Sequence, residues 1–170
     1  FLLDERADWD KTFGVCWFGV YYCARAFLPL LAASEEGHIV NISSVNGFWA
    51  SLGPMTPHTA YCTAKFAVKG FTEALMTDLR CFAPHVKASV VMPGHIGTSI
   101  AFNSRAVLGR PQPEEMTADE LAQARARMAR QGLPIEGVTD EQLKGFILEG
   151  MQGFRDNAPT TATEAATIIL

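Results

Sequence analysis

With 170 residues, 48% hydrophobic and 19% charged, the chain carries enough apolar material for one domain with a real core. Its formal net charge is −4 and its basic residues are scattered, which argues against electrostatic capture of nucleic acid or of an acidic membrane. Phe1-Leu2-Leu3 is followed at once by Asp4, Glu5 and Arg6, unlike a signal peptide, and the uncharged run from Thr12 to Ala24 is shorter than the ~20 residues of a membrane span. A mildly acidic soluble enzyme is the expectation.

The first predicted element is a long helix over 9–33, with Asp8 as its N-cap and no proline before Pro29. Phe13, Val15, Trp17, Phe18, Val20, Tyr21 and Tyr22 make it apolar all round, so it needs burial on more than one side. Cys16 and Cys23 lie in it, and Cys62 and Cys81 follow downstream, all among apolar neighbours. None forms a Cys-x-x-Cys pair or stands beside a His at zinc-ligand spacing, so no metal site is expected. Reduced, buried thiols point to a cytoplasmic location.

After Gly37, the run His38-Ile39-Val40-Asn41-Ile42-Ser43 reads as a buried parallel strand. A loop rich in Gly, Pro, Ser and Thr extends from Val45 to Thr59. From about 58 to 82 apolar residues recur at spacings of three and four (Ala64, Val68, Phe71, Leu75, Leu79), until Pro84 ends the helix. A second buried strand over 86–92 is closed by Pro93-Gly94. The remainder is polar and helical: Thr117-Ala-Asp-Glu120, Thr139-Asp-Glu-Gln142 and Thr161-Ala-Thr-Glu164 each match a capping box and predict helices near 118–131, 140–154 and 162–170. Gly145, Gly150 and Gly153 weaken the middle one, at up to ~1 kcal/mol each relative to Ala.

Alternating helix and strand implies an α/β domain with a parallel sheet. Two predicted strands are too few for a doubly wound sheet, so 1–170 is expected to be a single partial Rossmann-like domain, lacking the N-terminal strands and the last strand.

Tyr61-Cys-Thr-Ala-Lys65 is the first chemical signal. Residues i and i+4 share a helix face, so the phenol and the ammonium can approach one another. A free phenol ionises near pH ~10, and a neighbouring cation favours the phenolate, which suits proton exchange with a carbonyl or alcohol. Helices produce this spacing by chance, so context decides. Ile39-Val40-Asn41-Ile42-Ser43-Ser44-Val45-Asn46-Gly47 ends a strand in two hydroxyls, at the carboxyl end where open α/β sheets place ligands. A serine there can hydrogen-bond a substrate oxygen. Pro93-Gly94-His95-Ile96-Gly97-Thr98 lies at the next strand's carboxyl end.

Together these motifs resemble the short-chain dehydrogenase/reductase family, whose signature runs Asn-Ile-Ser-Ser-x-x-Gly, then Tyr-x-x-x-Lys, then Pro-Gly-x-x-x-Thr. Trp9-Asp10 and Arg25-Ala-Phe-Leu-Pro29 resemble the helix that precedes the family's serine strand. The resemblance covers roughly residues 1–100, the catalytic C-terminal portion of the family's domain, with 160–170 as a late helix. It implies an NAD- or NADP-dependent oxidoreductase exchanging hydride with a ketone or secondary alcohol. By the same resemblance Ser44 would polarise the substrate oxygen, and Tyr61 would be the general acid/base. Lys65 would hold the nicotinamide ribose and favour the phenolate, while Pro93, Gly94, Ile96 and Thr98 would line the nicotinamide. A homodimer or homotetramer through the aromatic helix and the Tyr61 helix is implied as well.

Three departures stand out. Cys16, in Val15-Cys-Trp-Phe-Gly19, takes the place of the family's Asn in Val-Asn-Leu-x-Gly, where a proton-relay water is anchored. The stretch between Ser44 and Tyr61 is a few residues longer than is common, so Trp49, Met55 and His58 are candidates to shape the substrate pocket. The Gly-rich phosphate loop, and with it the residue that selects NAD or NADP, is not in these 170 residues. This stretch alone is therefore expected not to hold a dinucleotide fully.

Residues 99–159 are expected to form a helical insertion, either a flexible lid rich in methionine (Met116, Met128, Met151) over an apolar substrate or a solvated appendage. His95 is a candidate substrate contact. Two other classes compete with the oxidoreductase reading: a catalytically silent relative serving as an oligomerising or binding module, motivated by Cys16 and the missing phosphate loop, and a non-redox epimerase or dehydratase.

Overall fold

The computed structural model describes residues 6–50 and 58–170, so Phe1, Leu2, Leu3 and Met55 lie outside the described residues. The chain divides into two compact units, Phe1–Gly94 and His95–Leu170.

In the first unit, α1 (Arg6–Phe13) passes through a π-helical stretch (Gly14–Phe18) into α2 (Gly19–Ala32). Asp8 falls in the first described turn rather than at a cap. Trp17 sets its ring edge-on to Phe71 of α3 (Thr59–Phe82), with centroids 5.4 Å apart. Of α2 only Ala24 is buried, and Val15 (70% exposed) and Tyr22 (63%) stand in the open. The charge-free run also understated this element: Arg6–Ala32 is 27 residues with a mean hydropathy of 1.4 in its most apolar stretch, long and apolar enough to cross a membrane.

Strands β1 (Gly37–Ile42) and β2 (Val86–Val91) pair in parallel, from Gly37 opposite Val86 to Ile42 opposite Val91. A connection that carries a long helix is what parallel neighbours require, and α3 supplies it. Ala64, Val68, Thr72, Leu75 and Leu79 form one buried stripe on α3 at spacings of three and four. Leu75, Leu79, Ala83 and Val86 make the core, flanked by Leu28, Leu31, Ile39 and Phe71. Burial along β1 alternates. Val40 and Ile42 are exposed while Asn41 is buried, so the strand predicted to be fully buried is covered on one face. Asn41 is tolerated there because Nδ2 donates to Thr72 Oγ1 (3.0 Å), which itself donates to the Val68 carbonyl (2.7 Å).

The second unit contains β3 (Ile96–Gly97), α4 (Ile100–Val107), a 3-10 turn (Pro113–Glu115), α5 (Ala118–Arg130), α6 (Asp140–Asp156), β4 (Thr160–Thr161) and α7 (Ala162–Ile169). All three capping boxes are present: Thr117 with Glu120, Thr139 with Gln142 and Thr161 with Glu164. Gly132, at φ 74°, adopts the left-handed conformation just past the end of α5, a place where glycine costs least. Met116, Leu121, Ala124, Met128 and Leu143 form the core. Met116 and Met128 are therefore buried within this unit. The parallel pair β3–β4 joins Ile96 to Thr160 and Gly97 to Thr161, two strands too short to show as periodicity.

The cysteine expectation is corrected. Only Cys62 is buried, Cys16 is half-buried, and Cys23 and Cys81 are exposed; all four are free thiols. Apolar sequence neighbours do not bury a residue on a helix face that has nothing against it.

Candidate active site

At the carboxyl ends of β1 and β2 the pairing continues past the ladder. Ser43 N donates to the Val91 carbonyl (2.8 Å) and Val45 N to the Pro93 carbonyl (3.0 Å), which sets Ser44 beside the Pro93-Gly94 turn. Ser44 caps a 3-10 turn (Val45–Gly47): its Oγ accepts from Asn46 N at 3.1 Å.

This strand end is tied to α3 at Lys65 twice over. The Ser43 hydroxyl donates to the Lys65 carbonyl (2.7 Å), and Lys65 Nζ donates to the Ile42 carbonyl (3.0 Å). Gly47 permits the approach, since a Cβ there would lie 2.3 Å from Ser43 Oγ and 2.6 Å from the Lys65 oxygen. Lys65 Nζ sits 5.6 Å from the centroid of the Tyr61 ring, within reach of a cation–π attraction. Burial holds the ammonium below the ordinary lysine value, and negative charge on Cys16 would act in the opposite direction.

The other candidates have partners of their own. His58 is edge-on to Tyr61, ring centroids 6.2 Å apart, and Cys62 Sγ donates to the Ala50 carbonyl (3.2 Å). The Trp49 side chain is 67% exposed, and its carbonyl accepts from Asn46 Nδ2 (3.3 Å). In the second unit His95 Nε2 lies 2.6 Å from the Phe154 carbonyl, with its ring against the Phe154 ring. Ile96 is taken into β3, and Thr98 N donates to the Ile96 carbonyl (2.9 Å). Sequence reasoning assigned no role to Ser43, Asn46 or Gly47. The one available signal was a glycine three residues past the serine pair, a mark of close backbone approach.

The arrangement offers a phenol and a cation on one helix face, joined to a strand end that carries a second hydroxyl. Such groups are of the kind that can exchange a proton with an oxygen and hold a polar group by its charge. The residues suit the nicotinamide end of a dinucleotide. Lys65 has three N–H donors and spends one on Ile42, leaving capacity for a ribose hydroxyl, and Pro93-Gly94 lies against Val45 at the strand end.

Comparison with known proteins gives the same direction. The family model for short chain dehydrogenase matches residues 2–108. SadH of Mycobacterium tuberculosis is 43% identical over 108 residues, covering 64% of this chain and 38% of that protein. Dehydrogenase/reductase SDR family member 6 of Xenopus laevis is 33% identical over 125 residues, covering 73% of this chain and 48% of its own length. A short chain dehydrogenase/reductase from Burkholderia phymatum, solved in complex with NAD, superposes with a TM-score of 0.55 at 27% identity, covering 97% of this chain and 56% of that one. The chain thus spans less than half the length of the curated relatives it matches. It belongs to the short-chain dehydrogenase/reductase family.

Proposed function

We propose that the whole protein is an NAD- or NADP-dependent oxidoreductase that exchanges hydride between a nicotinamide and a ketone or secondary alcohol, and that this chain is the catalytic portion of its doubly wound domain. The observation that carries the reading is the Lys65 ammonium against the Tyr61 ring, on a helix stitched to the Ser44 strand end.

In the direction of reduction, Tyr61 gives its phenolic proton to the substrate oxygen as negative charge develops there. Ser44 donates a hydrogen bond to the same oxygen. Lys65 would stabilise the phenolate left on Tyr61 and would hold the nicotinamide ribose. The chemistry a nicotinamide would supply there is hydride donation in this direction and acceptance in the other. Pro93, Gly94, Ile96 and Thr98 would position the ring, and Trp49 and His95 would contact substrate. The segment 99–159 would cover the bound substrate.

The same reading makes Arg6–Ala32 an element of the fold and of a homodimer or homotetramer interface, with Val15, Phe18 and Tyr22 as its exposed contacts, rather than a membrane span. On the same proposal the protein works in the cytoplasm and, with a net charge of −4 and scattered basic residues, takes no nucleic acid.

The test is nicotinamide absorbance, with NADH and NADPH and a panel of ketones and secondary alcohols, on the whole gene product. Tyr61→Phe is expected to lower turnover by about 10²- to 10⁴-fold, the usual contribution of a general acid, while cofactor binding persists. Undiminished turnover in that variant overturns the mechanism. Failure of the wild type to bind either cofactor favours the silent relative, and a tightly held cofactor with no net absorbance change favours epimerisation or dehydration.

A further inference from the structure

Asn46 stands at a variable position of the serine motif, yet it makes three bonds that bear on the proposed site. Its backbone N–H donates to Ser44 Oγ (3.1 Å), and its side-chain Oδ1 accepts the Ser44 hydroxyl proton across a longer 3.4 Å. Its Nδ2 donates to the Trp49 carbonyl (3.3 Å). The side chain is 4% exposed, so these partners do the work that water would do elsewhere.

The three bonds together define the hydroxyl. A carbonyl only accepts, so the Trp49 oxygen fixes which end of the amide is NH₂ and turns Oδ1 toward Ser44. The backbone N–H occupies one lone pair of Oγ, and among the described residues the proton's hydrogen-bond acceptor is Oδ1. At 3.4 Å that contact is longer than the ~2.5–3.0 Å of a full O–H···O bond, so a substrate oxygen, above all one gaining negative charge, displaces it at little cost. The hydroxyl rotor is ordered before substrate arrives but is not locked away from it.

We propose that Asn46 is a positioning residue that presets the Ser44 hydroxyl for the substrate oxygen. This rests on the assignment of Ser44 as the hydrogen-bond donor to that oxygen.

The experiment is a double-mutant cycle in the whole protein, with kcat and KM measured for Ser44→Ala, Asn46→Ala and the pair, alongside Asn46→Asp as the near-isosteric variant. Asn46→Ala should lower kcat about 5- to 50-fold with little change in KM, a part of the 10²–10³ that losing a whole oxyanion donor costs. In the Ser44→Ala background the same change should add less than about twofold, because its target is gone. Asn46→Asp substitutes a charged acceptor that retains the Ser44 proton and repels the developing oxyanion, so its kcat should fall further at neutral pH and recover on acidification. Equal losses from Asn46→Ala with and without Ser44, or a flat pH profile for Asn46→Asp, overturn the proposal. Full activity in Ser44→Ala overturns the Ser44 assignment itself, so the two failures are distinguishable.

Discussion

Adding one methyl group at Gly47 should damage the fold and displace Lys65 together. A carbon and an oxygen in easy contact stay ~3.3–3.6 Å apart. The new Cβ would stand 2.3 Å from Ser43 Oγ, 2.6 Å from the Lys65 oxygen and 2.9 Å from the Lys65 carbonyl carbon. The Ser43 hydroxyl would have to swing away, losing its bond to that carbonyl at about 0.5–1.5 kcal/mol, or more if a buried group is left unpaired. The carbonyl belongs to α3 and cannot yield without moving the helix, an overpacking cost of about 1–3 kcal/mol. Reduced freedom of the unfolded chain returns roughly 0.4–1 kcal/mol. The net expectation for Gly47→Ala is a loss of about 0.5–4 kcal/mol. Urea unfolding followed by Trp fluorescence measures it. Gly145→Ala in α6 is the control: nothing lies within 4 Å of its added Cβ, so it should stabilise by up to ~1 kcal/mol. If Gly47→Ala unfolds at the wild-type midpoint, the packing argument for the strand–helix clasp is wrong.

Two further outcomes follow from buried polar groups. Thr72→Val strands Asn41 Nδ2 and should cost about 1–3 kcal/mol, whereas Asn41→Leu combined with Thr72→Val should regain part of it; thermal melting of the two variants separates these cases. Lys65, lowered from the ordinary value of 10.5, binds its proton less tightly in the folded chain than in the unfolded one. Its charge therefore costs stability at neutral pH, and that cost fades as pH rises from the lowered value through 10.5. Wild-type stability measured against Lys65→Met should accordingly climb as pH rises toward 10.5, while any turnover that needs the cation declines; a difference independent of pH would refute the burial argument.

Much of the architecture was legible locally. The three Thr-x-x-Glu/Gln boxes mark helix starts because capping is settled within four residues, and α5, α6 and α7 begin at them. The stripe of α3 and the β-branched runs of β1 and β2 were readable for the same reason. The pairs β3–β4 and Asn41–Thr72 were not, since each joins residues tens of positions apart with nothing periodic between them. The chemical residues Tyr61 and Lys65 were visible through their spacing. Ser43 and Gly47 lie within the serine motif but their contacts with Lys65 were not readable from it, and Asn46 stands at a variable position of that motif.

Taken alone, the order of amino acids determined which segments coil, which extend, and which side chains bear a phenol, an ammonium or a hydroxyl, because those properties are intrinsic or span a few neighbours. The tertiary structure decided which thiols are hidden, which face of β1 is covered, and how closely the backbone at Gly47 meets that of Lys65. Burial and contact depend on what the rest of the chain brings alongside, and no local pattern encodes that.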